Sequence, residues 1–236
     1  MRLVLVFYFA AVAWAQSALD RPSLGMMLDP GGRIRPVFGI SGSVTVGDPQ
    51  GSGVLSVACS REFCLTKTRD AIIFNGQETG APVGPALFAF RGNSAWIYFP
   101  QVRQLAQWQD GQITPVALAI TGEVLSLRVP SGGAMEFAVR RDNVTWIVNA
   151  QDQAVDSIPT ESGPAMLLTD GVLYARAGAA ILRRDDGSEI RFPVEGAESF
   201  SALGEGYVQV RAGGTSYAIH TARGRERMFQ LPESPP

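Results

Sequence analysis

Histidine, lysine and cysteine are almost missing from this 236-residue chain: His220 is the only histidine, Lys67 the only lysine, and Cys59 and Cys64 the only cysteines. Each scarcity excludes a chemistry. A hydrolytic triad needs an imidazole base, and His220 lies within the strand-like run "SYAIHTARG", where a tip at the solvent edge explains it. Two cysteines and one distant histidine make a poor zinc or iron set. No catalytic residue, no metal ligand and no cofactor is therefore assigned. Charge is scarce as well. Asp, Glu, Lys and Arg together form 18% of the chain and the net charge is −2, so no basic field calls for nucleic acid or an anionic membrane surface. No Gly-rich phosphate loop precedes a helix, because helical periodicity is itself missing. The nearest candidate, "PQVRQLAQWQDG", reads equally well as a strand.

Long apolar runs are confined to the start, "MRLVLVFYFAAVAWAQ". Arg2 is a short positive region, Leu3 to Val12 an apolar core, and Ala13-Trp14-Ala15 a small-x-small cleavage signal. An apolar stretch of about 13 residues is too short to cross a bilayer core of ~30 Å as a helix. Residues 1–15 are thus expected to be a cleaved secretory signal, with an uncleaved anchor as the rival. Residues 16–236 are expected to be one exported domain, periplasmic or extracellular, with no transmembrane span after cleavage. In that compartment Cys59 and Cys64, in "ACSREFC", have two readings. One is a disulfide across a tight hairpin, which requires Cα atoms within about 7 Å. The other is two buried thiols packing as small hydrophobes.

What fills the chain is β-pattern. Runs of four to eight residues, rich in β-branched and aromatic residues, are separated by Gly, Asp, Asn and Pro. One motif recurs: strand, glycine-containing turn, second strand, closing proline. It appears as "GMMLDPGGRIRPVFG", "AIIFNGQETGAPV", "QLAQWQDGQITPV", "TWIVNAQDQAVDSIP", "AAILRRDDGSEIRFPV" and "YAIHTARGRERMFQLP". The turns centre near Gly31, Gly76, Gly111, Gln151, Gly187 and Gly224, and the prolines at 36, 82, 115, 159, 193 and 232 keep the same period of roughly 40 residues. Two further strand-like runs precede every motif after the first, such as "AMLLTDG" and "VLYARAG". Four short antiparallel strands repeating at this period are the signature of a β-propeller blade. The runs "LFAF", "VLSL" and "AMLL" are apolar on both faces, as inner strands packed between neighbouring blades must be. Closing prolines suit outer edges, where they cannot donate to a further strand.

The expected fold is therefore all-β: a propeller of four-stranded antiparallel blades. Six blades are expected, the N-terminal one incomplete and offering the last two strands of a blade, or three if "SALDRPSL" joins. Five blades with a capping hairpin is the alternative. On this rhythm, on "DPGGRIRPVFGI" and on turns such as "DDGSEIRFPV", the chain resembles bacterial exported β-propellers of the WD-repeat-like and NHL-like kind. The Gly-His and Trp-Asp dipeptides of true WD repeats are missing, so the resemblance is architectural. It implies a non-catalytic binding scaffold with a protein or glycan partner, or a structural component of a cell-envelope complex. The enzymatic alternative is a hydrolase or lyase using a carboxylate pair at the channel mouth. Its candidates are Glu123, Asp170, Glu198 and Glu205, at the edges of first strands.

Two local motifs read as structure. In "RDDGSE" the acids are adjacent rather than alternating, unlike a calcium loop. Asp186-Gly187 instead supplies the positive φ angles of a two-residue hairpin, flanked by Arg183, Arg184, Glu189 and Arg191 pairing across its strands. Asn143-Val144-Thr145 matches a glycosylation sequon; with a bacterial origin expected from the resemblance, it reads as a chance match.

Overall fold

The computed structural model describes residues 22–40, 43–130, 132–158, 163–204 and 206–232; the expected signal segment, residues 1–15, lies outside them. The described residues form strands and turns without a helix, so none is long and apolar enough to cross a membrane. Six sheets follow in chain order. Blade 1 holds β1 (Ser23–Leu28), β2 (Ile34–Ile40) and β3 (Ser43–Val46). Blade 2 holds β4 (Ser56–Cys59), β5 (Cys64–Lys67), β6 (Ala71–Phe74) and β7 (Gln77–Gly80). Blade 3 holds β8 (Leu87–Arg91), β9 (Ser94–Phe99), β10 (Gln104–Gln109) and β11 (Gln112–Val116). Blade 4 holds β12 (Glu123–Arg128), β13 (Glu136–Arg141), β14 (Val144–Asn149) and β15 (Ala154–Ile158). Blade 5 holds β16 (Ala165–Leu168), β17 (Gly171–Arg176), β18 (Ala179–Arg184) and β19 (Glu189–Phe192). Blade 6 holds β20 (Ala197–Gly204), β21 (Tyr207–Ala212), β22 (Thr215–His220) and β23 (Arg227–Gln230). Every sheet is an antiparallel meander, four-stranded in blades 2 to 6 and three-stranded in blade 1. The molecule is a six-bladed propeller with an incomplete first blade.

Period-two alternation explains the ring. On β13, Phe137 and Val139 pack toward blade 3, while Ala138 between them packs toward blade 5. On β17, Tyr174 faces blade 4 and Leu173 faces blade 6. Apolar clusters built in this way fill the interfaces 2–3, 3–4, 4–5, 5–6 and 6–1. Each fully buried Leu or Ile contributes roughly 2 kcal/mol, so the cores lie between blades, and blades 3 to 6 each depend on both neighbours.

Two details depart from the sequence pattern. The turns at Gly76, Gly111, Gln151, Gly187 and Gly224 all join third to fourth strands, but the turn at Gly31 joins β1 to β2. The first motif is thus out of phase with the rest; its repeat of turn and proline came from local hairpin chemistry, not from blade position. The charged hairpin differs too. Of Asp186 and Gly187, only Gly187 takes a positive φ, 83°. Its N–H donates to Arg184 O at 3.0 Å and Arg184 N–H donates to Ser188 O at 2.8 Å, the arrangement of a type I turn closed by a glycine bulge. Two-residue turns with both φ angles positive occur instead at Asn75-Gly76 and Asp110-Gly111.

Blade 1 closes the ring without completing it. The start of β1 lies against the end of β20: a Cβ on Gly25 would meet Leu203 O at 1.7 Å, and one on Gly204 would meet Leu24 O at 2.2 Å. The far end of β1 lies near the start of β4, where Val54 N–H donates to Gly32 O at 2.9 Å. β1 therefore runs antiparallel to the other first strands, and β4 and β20 touch one another directly. Strand direction makes β1, β2 and β3 the second, third and fourth strands of a blade that has no channel-lining first strand. Closure rests on Leu24, Met27 and Val37 packing on Leu203, Ala218 and Leu231.

Candidate functional site: the channel and its mouth

The first strands of blades 2 to 6 surround a central channel. Its wider end is a depression of about 590 Å³. Turns between first and second strands build it, with Cys59 to Glu62 from blade 2, Phe90 and Gly92 from blade 3, Leu168 to Asp170 from blade 5, and Gly204, Gly206 and Tyr207 from blade 6. Blade 4 contributes the end of β12, Arg128 and Val129. Such turns add no apolar layer of their own and sit on a ring fixed by the packing between blades.

Cys59 and Cys64 are bonded across the end of the β4–β5 hairpin at this mouth, with Cα atoms 4.0 Å apart. They are the last paired residues of that ladder, which brings the two side chains to the same face. Between them the Ser60 hydroxyl accepts hydrogen bonds from the N–H groups of Glu62, at 3.1 Å, and Phe63, at 3.2 Å. The bond and the turn together hold exposed Arg61 and Glu62 at the rim.

The carboxylates expected at the mouth do not converge. Glu123 pairs with Arg140 at 3.2 Å, Asp170 with Arg184 at 2.7 Å, and Glu198 accepts the Gly213 N–H at 3.2 Å. Glu205 lies outside the described residues. Each described acid is held by a separate partner, so the geometry does not favour a paired-carboxylate mechanism. Among the described residues no group of three His, Cys, Asp or Glu side chains is placed to hold a metal ion.

The arginines serve the joints between blades. Arg128 of blade 4 pairs with Glu136 at 2.7 Å and with Asp185 of blade 5 at 3.1 Å, and donates to Leu168 O and Gly171 O. Arg183 of blade 5 pairs with Asp156 of blade 4 at 2.6 Å. Arg184 has a buried side chain and pairs with Asp170 and with Glu226 of blade 6 at 2.7 Å each; it also donates to Thr221 O. Arg223 of blade 6 returns to Asp186 at 2.9 Å. The charges of "LRRDDGSE" therefore clamp blades 4, 5 and 6 together. Cross-strand pairing does not account for them: Arg183 faces Glu189 in register, yet its ion pair is with blade 4. A sequence shows strand neighbours and hides which side chains reach another sheet. Hydrogen bonds from the Ser188 hydroxyl and N–H and from Arg223 hold Asp186 well below the usual carboxylate range.

His220 lies beside the mouth, stacked on Tyr207 with ring centroids 4.3 Å apart. Burial pushes its pKa below the ordinary value, against a backbone hydrogen bond at Arg225 that favours protonation. Among the described residues no serine or cysteine nucleophile is paired with it. Lys67 is fully buried, its Nζ donating to Thr68 O at 2.6 Å and Arg69 O at 3.0 Å; burial pushes its pKa down. It anchors the end of β5 and lines neither the mouth nor the channel. Nothing in its sequence context marks this burial.

No family model matches the chain, and no curated protein matches it. Solved structures do. PorZ, described as an essential surface component of the type-IX secretion system of Porphyromonas gingivalis, superposes with a TM-score of 0.53 at 12% identity, over 89% of this chain and 31% of PorZ. The chain thus spans less than a third of that protein. Virginiamycin B lyase from Staphylococcus aureus gives 0.51 at 12% identity, over 92% of this chain and 87% of the lyase. A Bacteroides caccae protein of unknown function gives 0.54 at 13% identity, over 85% and 90%. At these identities the likeness is one of fold.

Proposed function

We propose that this chain is an exported, non-catalytic β-propeller scaffold that binds a protein or glycan partner at the wide mouth of its channel. One observation carries the reading. Five blades contribute to a broad depression, while the described carboxylates expected there are each engaged by a separate partner. A surface assembled from turns on a rigid ring suits recognition; a hydrolase or lyase would need polar side chains converging on one point. Export is supported by the N-terminal sequence and by the cysteine pair, which we take to be oxidised outside the cytoplasm. Residues 1–15 are read as the cleaved signal and 16–236 as one domain, placed in the periplasm or outside the cell. PorZ, a bacterial surface component by its description, shares the architecture and is compatible with a role in an envelope assembly.

Arg61 and Glu62 stand exposed at the rim and give the test. The mature chain is immobilised and offered a solubilised envelope fraction and a glycan array, beside the variant Arg61→Glu/Glu62→Arg. A control carries Glu78→Arg on the outer strand of blade 2. A specific partner retained by the wild type and the control, and lost by the rim variant, is expected. Equal retention by all three would place binding elsewhere. Turnover of esters, glycosides or lactones by the wild type would favour the enzymatic reading.

A further inference from the structure

Away from the wide mouth the channel is asymmetric. A cavity of about 270 Å³ is lined in blades 2 to 5 by first strands and the residues leading into them. In blade 6 the second strand is exposed as well, through Gln209 and Arg211. The cause is the missing first strand of blade 1, which contributes only Leu28 to the lining. A complete blade would place a strand over this part of β21. From the exposed second strand we infer a site for a small amphipathic carboxylate, its head on Arg211 and its tail along Phe88, Leu127 and Met166. Phe88, Leu127 and Met166 also line the mouth depression, so the two sites adjoin within one channel; the assignment does not need the scaffold reading.

Three features support the site. Arg211 is the only charged side chain among the lining residues. It pairs with no carboxylate among the described residues, whereas Arg128, Arg140, Arg141, Arg183 and Arg184 each hold one. A half-buried guanidinium offers a fork of donors that fits a carboxylate with two parallel bonds. Second, its surroundings are polar and fixed. Ser199 stands opposite Arg211 and Ser201 opposite Gln209 in the ladder. Gln209 is buried, its Oε1 accepting from Ser201 Oγ at 3.4 Å and its Nε2 donating to Ser216 Oγ at 3.2 Å. Third, apart from Ser56 and Ser126, whose hydroxyls accept hydrogen bonds from the N–H groups of Ala86 and Leu167, the rest of the lining is apolar, with Leu28, Leu55, Phe88, Leu127 and Met166 among it. One cation beside an apolar wall selects a monoanion with a hydrocarbon body. An apolar cavity of ~150 Å³ holds benzene, so this one suits a ligand of about a dozen heavy atoms.

Octanoate and 4-phenylbutyrate, each compared with its primary amide, are the probes, titrated calorimetrically into the whole mature chain. Both carboxylates are expected to bind the wild type at least about tenfold more tightly than their amides, as one charge-assisted bidentate pair allows. Arg211→Met is expected to abolish that preference with an unchanged melting temperature, and Arg211→Lys to keep part of it. Arg211→Gln replaces the methionine variant if that one does not fold. Failure of both carboxylates to bind at ~1 mM, equal binding of acids and amides, or a preference that survives Arg211→Met would overturn the assignment. The rim variant Arg61→Glu/Glu62→Arg is expected to bind octanoate normally, which separates this site from the rim where the partner is proposed to bind.

Discussion

Among single residues, Asp29 carries the most charge chemistry in the first blade. Its side chain is fully buried and accepts bonds from the N–H groups of Gly31 and Arg33 and from the Arg33 and Arg35 guanidiniums, at 2.9 to 3.0 Å. Burial alone would raise its pKa; the hydrogen bonds outweigh it and hold the group at about 2, below the ordinary 3.8. A carboxyl depressed in the folded state stabilises fully above its unfolded value. That contribution, roughly 2 kcal/mol, is lost as pH falls from about 4 through 2. Asp29→Ala is expected to cost roughly 3 kcal/mol near neutral pH, because it removes a buried acceptor shared by two backbone N–H groups and two guanidiniums. Its urea midpoint is also expected to vary less than the wild type's between pH 4 and 2. His220 gives a second titration, with the same sign in a higher pH window. Because it is the only histidine, its proton resonance needs no assignment. Burial lowers its pKa, so a titration midpoint below the usual ~6.5 is expected. Stability should fall as pH drops through that window, since the unfolded chain binds the proton more readily. A midpoint at or above the usual value would contradict its packing against Tyr207.

Within single elements, much of the fold was legible in the sequence and its exceptions have definite causes. Turn glycines and alternating apolar residues marked the blades, because both follow from backbone geometry that neighbours in sequence determine. The phase of blade 1 was not legible, since a hairpin at Gly31 looks the same whether it joins first to second or third to fourth strands. The roles of Arg128, Arg183 and Arg184 were hidden for a related reason: their partners lie in adjacent blades. Arg184→Met removes a buried cation shared by Asp170 and Glu226. It is expected to destabilise by roughly 3 kcal/mol, read from chemical unfolding, with the loss concentrated in amide exchange at the interface of blades 5 and 6. Of the channel, the sequence marked the first strands as apolar but gave no sign that Gln209 and Arg211, in a second strand, reach it. The cysteine pair closes a short loop, for which the chain-entropy effect is roughly 2 kcal/mol. The mature protein is expected to react with maleimide under denaturing conditions only after reduction, and Cys59→Ser/Cys64→Ser to lower stability by no more than that amount.

For the whole molecule, stability is distributed over interfaces, and the ring is complete only if blade 1 seals against blade 6. That closure leaves the channel open beside β21 and sets the shape of both mouths. It depends on two strands from different sheets approaching at Gly25 and Gly204. Gly204 is the informative position, because its backbone is not in the left-handed region and only the close approach requires glycine there. Gly80, on the outer strand of blade 2, also has an ordinary backbone, and a Cβ there would meet nothing within 4 Å. The direct test is the thermal and urea unfolding of Gly204→Ala beside Gly80→Ala. Gly80→Ala is expected to leave stability within about 0.5 kcal/mol of the wild type. Gly204→Ala is expected to lose at least about 3 kcal/mol or to fail to close, with amide protection falling in β1 and β20. Equal stability of the two variants would contradict the closure, and with it the open channel and the mouth that the proposed binding uses.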